Sequence, residues 1–419
     1  MSQAVFQVAF GESALVADPS WTTVSGVQQI TIDRGRAYEF DQVDTGTATV
    51  EIIDTDGSYD PTNESLGIIP EMPARILLGS TPIYTGHVAT WQTEPHVTEN
   101  HLYHTVSLED GLAILAATEL APNGDYGNTF LNGNITYEED TGLDAVQTRI
   151  KKVLQEEVGI EPTLTEIFTG NVGLQETVMA PRCSALEVIL DAAQGELPVG
   201  SIFFVAKDGI YTFHGRKARY VPDDPQYHIE RWSVGDIGAV TGNESTVALI
   251  SPPVTVSIDN GRIFTEAFAT PMNINDDDIA DTFVVDTDAR SRFGPRTWSA
   301  EGLVTFNGEG GTTAIEETTL FADNIVDNFS VPKLRVGRIT ILGQDGVYSD
   351  ASWDLLENIE VSDILTVNTT HPGGGGLADW EGYVEGLSYL IVPRDDQDAH
   401  VTLGIDLSPK GFYDANPFE

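Results

Sequence analysis

The sequence is short of cysteine, of lysine and of long apolar runs, and each shortage excludes something. Cys183 is the only cysteine. No disulfide can form within the chain, and no zinc cluster can be built from thiolates. Cys183 lies just before the apolar positions Leu186, Val188 and Ile189, which predicts a buried structural thiol rather than a nucleophile. No stretch approaches the ~20 apolar residues of a membrane-crossing helix. The opening Met1-Ser2-Gln3-Ala4-Val5-Phe6 has no basic n-region and no apolar h-region, so a signal peptide is not expected.

Positive charge is the other shortage. Lysine stands only at Lys151, Lys152, Lys207, Lys217, Lys333 and Lys410. Against 21 Lys plus Arg there are 65 Asp plus Glu, a formal charge of −44, and the acids are spread along the chain. Self-repulsion on that scale works against a compact state unless counter-ions screen it. In about 1 M salt the Debye length is roughly 3 Å and the repulsion is largely removed. The pattern predicts a halophilic source, or else an acidic protein whose basic partner lies elsewhere. Either way the chain is poorly suited to gripping a phosphate backbone.

What is present is a repeat. Tyr84-Thr85-Gly86-His87-Val88 is followed by Val106-Ser107-Leu108, and Trp380-Glu381-Gly382-Tyr383-Val384 by Val401-Thr402-Leu403. Strand-like runs stand upstream of both, Arg75-Ile76-Leu77-Leu78 and Asp363-Ile364-Leu365-Thr366-Val367. A recurrence over that distance predicts two copies of one small β-domain. The length of 419 residues allows two to four domains, and 40 glycines with 21 prolines fit a turn-rich β protein.

Period-two alternation predicts strands at Val27 to Ile32 and Ala48 to Ile53, with Asp54-Thr55-Asp56-Gly57 as a turn. Strands are also expected at 74–78, 84–91 and 103–108, and short strands so spaced suggest a barrel or sandwich. Thr141-Gly142-Leu143-Asp144 resembles a capping box for a helix running to about Val158. Ser184-Ala185-Leu186-Glu187 is a cleaner one, opening a helix stopped at Gly195. Lys207-Asp208-Gly209 reads as a hairpin turn, which makes 136–230 an α+β insertion. A third helix is expected from about Thr313 to Asn328, and strands at 254–258 and 334–342.

Thr31-Ile32-Asp33-Arg34-Gly35-Arg36, Gly46 to Val50 and Asp54-Thr55-Asp56-Gly57-Ser58-Tyr59-Asp60-Pro61-Thr62-Asn63 closely resemble the opening of minor tail proteins of long-tailed phages. The helix at Ala185–Ala193, the hairpin Lys207 to Phe213 with Arg216, Arg292-Phe293-Gly294 and the closing strands resemble later parts of that family. The resemblance implies a baseplate hub, the trimer that closes the far end of a tail tube. It implies a mainly β fold with α+β insertions and two tandem tube-like β-barrels per chain. The expected division is a first barrel over 1–125, an α+β domain over 126–240, a second α+β region over 241–333 that lends strands to the next barrel, and a second barrel over 334–419. Implied partners are further copies of the chain, a distal tail ring protein, a tape-measure protein, tail fibre or tip proteins, and DNA in passage. The resemblance places the chain in the virion at the tail tip, after assembly in the host cytoplasm. An acidic channel would let DNA pass without sticking. A ring-forming distal tail protein and a glycan-binding adhesin stand as alternatives. The internal repeat argues against the first and the missing signal peptide against the second.

Enzymatic and metal chemistry find little support. His87, His96, His101 and His104 cluster; on one strand over 96–106, His96 and His104 would share a face and His101 oppose them. His87 occupies the place of Tyr383 in the other copy, which favours packing. The Asp54 run has the wrong spacing for a calcium loop. Asp276, Asp277, Asp278 and Asp281 form the one candidate cation loop, more simply read as solvated charge. Gly373 to Gly376 lacks the Lys-Ser/Thr of a phosphate loop, and no Gly-x-Ser-x-Gly occurs. No cofactor is expected. Arg34, Arg36 and Arg75 are the interaction candidates, each with an acidic partner either within the subunit or across to another.

Overall fold

A computed structural model describes residues 3–16, 18–96, 98, 100–120, 128–131, 134–137, 144–170, 172–180, 182–196, 200–236, 247–251, 254–258, 262–272, 282–305, 313–343, 350–371, 375–394 and 399–413. The cation loop candidates Asp276, Asp277, Asp278 and Asp281 lie outside the described residues.

The chain opens with seven strands: β1 (Ala4–Val8), β2 (Thr22–Val24), β3 (Val27–Gly35), β4 (Asp44–Asp54), β5 (Pro73–Leu78), β6 (Thr81–His96) and β7 (His101–Glu109). They lie in the order β1-β5-β6-β7-β4-β3. β2 and β3 form one extended segment bent at Ser25-Gly26, and β2 pairs back onto β1. Gly26 has φ +78°, and a Cβ there would meet the Ile53 carbonyl, so the bend needs glycine. Alternation puts Ile30, Ile32, Val50, Ile52, Val106 and Leu108 inside.

An α+β insertion follows. Its helices are α1 (Gly111–Ala117), α2 (Ala145–Lys152), α3 (Ala185–Gln194) and α4 (Lys217–Tyr220). Its strands are β8 (Asn128–Leu131), β9 (Asn134–Tyr137), β10 (Thr165–Ile167), β11 (Thr177–Met179), β12 (Ile202–Val205) and β13 (Tyr211–His214). They form two three-stranded sheets, β11-β9-β8 and β10-β13-β12. The predicted Ser184 cap is present, its side chain accepting from Glu187 N–H, and Gly209 makes the β12–β13 turn at φ +91°. The first box differs. α2 has Asp144 as its N-cap, with no side-chain hydrogen bond, so Asp144 does not serve as an interior capping partner. After Lys152 the helix widens into a π-turn over Val153–Val158 that ends at Gly159. Cys183 is buried, as its apolar neighbours predict.

The remaining strands are β14 (Arg231–Gly235), β15 (Ala248–Ser251), β16 (Val256–Ser257), β17 (Glu266–Pro271), β18 (Phe283–Val285), β19 (Thr297–Leu303), β20 (Arg335–Val336), β21 (Ile339–Gly343), β22 (Ile364–Asn368), β23 (Trp380–Val392) and β24 (His400–Pro409). The helices between them are α5 (Thr287–Phe293), α6 (Ala314–Phe329) and α7 (Asp350–Asn358). α6 opens on a reciprocal capping box between Thr313 and Glu316 and packs Phe321, Ile325 and Phe329 against the β18-β17-β19 sheet.

Six of these strands close on themselves in the order β14-β22-β23-β24-β21-β15, with β15 returning to β14. This is the strand order of the first barrel. Position for position, β14 replaces β1, β15 and β16 replace β2 and β3, and β20 with β21 replaces β4. β22, β23 and β24 replace β5, β6 and β7. The registers agree. Gly86 pairs with Ala74 and Gly382 with Leu365. Val88 pairs with Leu108 and Val384 with Leu407, and a β-bulge follows each, at Ala89 and at Glu385. The equivalent of Val106-Ser107-Leu108 is therefore Ile405-Asp406-Leu407, four residues beyond the Val401-Leu403 run that the sequence suggests. One strand breaks the likeness. β1 is antiparallel to both neighbours, whereas β14 is parallel to both. Backbone pairing is available in either sense, so an inserted segment can enter that slot from either end.

Candidate functional site at the joint between the barrels

The chemistry that stands out is where the barrels meet. β3 pairs antiparallel with β23 from Gly35↔Gly386 to Ile30↔Ile391, so one sheet runs through both barrels. The strands cross at two glycines. Gly35 has φ +89° and faces the Glu385 carbonyl, while Gly386 faces the carbonyl of Arg36. A Cβ at either would collide with backbone.

At this crossing the bulge turns Glu385 into the protein. Its side chain is fully buried. One carboxylate oxygen, Oε2, accepts from Arg36 Nε at 2.7 Å and from Arg219 Nη2 at 3.0 Å. Oε1 accepts from Arg219 Nη1 and, at 2.5 Å, from the Ser408 hydroxyl. Burial alone would raise the Glu385 pKa; Arg219 and then Arg36 outweigh it and pull it down to about 2. Arg219 is held in turn by the faces of Tyr383 and Tyr413, and the Tyr383 hydroxyl donates to the Arg219 carbonyl at 2.5 Å. Arg36 belongs to the first barrel, Arg219 to the insertion, and Glu385 and Ser408 to the second barrel. A single carboxylate therefore ties three parts of the chain.

Two further clusters repeat the device. Arg34 donates to Glu360 at 2.7 Å and to the Val205 carbonyl at 2.9 Å. Glu360 also accepts from Lys207 N–H, and Lys207 Nζ reaches the Glu357 and Asn358 carbonyls at the end of α7, where a cation is favoured. Glu39, fully buried in the β3–β4 loop, binds Arg335 at 2.6 Å and Arg262 at 3.0 Å. Asp110 and Asp363 are buried hydrogen-bond acceptors, and burial pushes both carboxyls up to about 7.

Of the predicted interaction residues, Arg34 and Arg36 thus take acidic partners within the chain. Arg75 does not. Its Nε donates to Gln7 at 2.8 Å and its guanidinium lies 4.3 Å from the Trp21 ring, beside a cavity of about 300 Å³ shared with His87 and Tyr211. Glu385, Arg219, Glu360 and Glu39 were not singled out by sequence. The signal was the one applied to Arg34: where cations are scarce, an arginine destined for the interior implies a buried acid, but only folding says which of 65.

The histidines do not share one strand. The chain reverses after His96, which pairs with His101 across the β6–β7 hairpin. His104 is buried against Asp54 at 3.3 Å. Four backbone N–H groups of the Asp56–Tyr59 turn bind Asp54. Burial alone would raise its pKa; the Tyr59 N–H, His104 and Asp56 outweigh it and lower it to about 2. His87 packs with its Nε2 on the Ala14 carbonyl at 3.0 Å. Among the described residues no group of three or more His, Cys, Asp or Glu is placed to hold a metal, and no helix is long and apolar enough to cross a membrane.

Two solved structures resemble the overall fold over nearly their whole length. The 43 kDa tail protein of prophage MuSo2 from Shewanella oneidensis covers 100% of both chains with a TM-score of 0.55 at 12% identity. A tail protein from Neisseria meningitidis MC58 covers 99% of both at 0.56 and 10% identity. The chain has the fold of phage tail proteins. No family model matches it, and no curated protein does. At such identity the likeness to these tail proteins is one of fold alone.

Proposed function

We propose that the chain is a structural virion protein, the trimeric hub at the distal end of a tail tube. The observation that carries this reading is the strand order that occurs twice. Two like barrels per chain let three chains offer six like units to a six-fold tube while keeping a three-fold tip. The hub closes and continues the tail channel, meets a distal tail ring protein on one side and tip or fibre proteins on the other, and yields to the tape-measure protein and then DNA at ejection. The buried ion clusters suit that place, because they fix one barrel against the other. The boundaries at 125, 240 and 333 serve as the working domain division, except that β14 (Arg231–Gly235), which lies before 240, belongs with the second barrel. The reading is of a non-enzymatic protein, and the −44 charge with few lysines favours a halophilic host.

Light scattering tests this at about 2–3 M salt, where the charges are screened. A mass near three times 45.3 kDa supports the hub. A hexamer moves the reading to the distal tail ring, and a monomer at every salt concentration overturns it.

A further inference from the structure

The joint inside the chain shows what a joint between chains would look like. β3 of the first barrel fills the edge of β23 from Gly386 to Ile391, the stretch just past the Glu385 bulge. The equivalent stretch of the first barrel is β6 past the Ala89 bulge, Thr90 to Glu94. There β6 pairs with β7 on one side only. Its pairing with β5 ends at His87↔Pro73, and among the described residues nothing covers the other edge.

The complementary edge is also free. β16 stands where the end of β3 stands, because Val256↔Val336 matches Asp33↔Thr47. The match follows from Ile339↔Ile405 and Val50↔Val106. Among the described residues β16 pairs with β20 alone. Beside it Ile258 is 66% exposed, the most exposed large apolar side chain among those described. An open edge of β-branched residues invites another strand. Proline bounds both windows. Pro95 follows Glu94, and Pro252-Pro253 precede Val254, so each offers five residues.

We infer that Thr90–Glu94 of one chain pairs antiparallel with Val254–Ile258 of a second copy of the same chain. The register copies the internal joint: Gln92 opposite Val256 as Ser388 is opposite Asp33, and Trp91 opposite Ser257 as Leu387 is opposite Arg34. The contact is head-to-tail. It repeats from chain to chain and closes at three copies, giving six strand joints around one ring. This inference rests on the hub reading and names the surfaces that would build it.

Cross-linking tests it. Residues opposite one another on antiparallel strands have Cα atoms about 4.5–5.5 Å apart, within disulfide range. The double variant Gln92→Cys with Val256→Cys is oxidised at about 2 M salt, where the acidic chains are screened. Cys183 is buried and does not compete. The expected product is a covalent species of three chains on a denaturing gel, with each single variant remaining one chain long. Asp33→Cys with Ser388→Cys is the control, a disulfide within one chain that leaves its mass unchanged. A particle that is trimeric by light scattering and cross-links in the control but not in the double variant overturns the pairing and leaves the hub standing. A particle that is monomeric or hexameric by light scattering overturns the hub, and the pairing falls with it.

Discussion

The two barrels share a strand order, a glycine and a bulge, and they differ in the residue placed at that bulge. In the first barrel it is Ala89, half-buried on a strand with an open edge; in the second it is Glu385, sealed under β3 and held by two arginines. The comparison teaches how a duplicated unit becomes a fixed pair. A bulge supplies one residue out of register. Where that residue is a carboxylate meeting arginines from other segments, the joint has a unique partner and a unique angle. Where it is alanine, the same edge stays open.

The comparison can be broken most strongly at Glu385. Glu385→Ala leaves Arg36 and Arg219 buried without their anion, and the expected loss is about 3–5 kcal/mol. Ala89→Ser at the matching bulge should change stability by no more than about 0.5 kcal/mol. Denaturant unfolding in high salt reads both. Equal effects would mean that the ion cluster contributes nothing beyond the shared bulge.

A smaller effect is expected from the glycine that lets the strands cross. Gly35→Ala combines a left-handed backbone with a collision at Glu385, and should cost at least about 2 kcal/mol. Gly11 has φ +75° but open space around it, so Gly11→Ala should cost only about 1 kcal/mol. The difference between the two thermal midpoints isolates the crossing.

The pH profile sharpens the comparison further. The Glu385 pKa is depressed from 4.5 to about 2, so its contribution is complete above 4.5 and is lost as pH falls from there through 2. Asp110 in the first barrel and Asp363 in the second run the other way. Each is raised from 3.8 to about 7, so each is a cost above 7 that is relieved as pH falls toward 3.8. Thermal stability at fixed high salt should therefore rise from pH 8 to about 5 and fall below 4.5. A profile flat from 8 to 5 would refute the buried-carboxyl account. The smallest effect is expected at the free edge. Ile258→Asp should leave the single chain's unfolding within about 0.5 kcal/mol of the parent, since that side chain is 66% exposed among the described residues.

How much was legible beforehand varied with the range of the interaction. The Ser184 cap, the Asp208-Gly209 turn and the extent of α6 depend on neighbours a few residues away, so spacing alone revealed them, whereas the Thr313 cap came from the structure. α1, α5 and α7 escaped notice, being short helices whose apolar contacts come from elsewhere. The repeat was visible through Gly86 and Gly382. Its last strand was matched four residues early, because Val401-Thr402-Leu403 has the same alternation as Ile405-Asp406-Leu407. With period two, only pairing partners distinguish the two registers. The histidines misled for a related reason: alternation along 96–106 cannot reveal that the chain reverses direction within it.

By itself the sequence determined that the chain is turn-rich and β, internally repeated, acidic throughout and poor in lysine. These are properties of composition and of local period, which need no partner. Tertiary structure alone decided that Arg36 meets Glu385, that Glu39 meets Arg335, and that β3 fills the edge of β23 while β6 keeps its own edge open. Residues hundreds of positions apart met there because burying an arginine requires an anion, and burying a strand edge requires another strand.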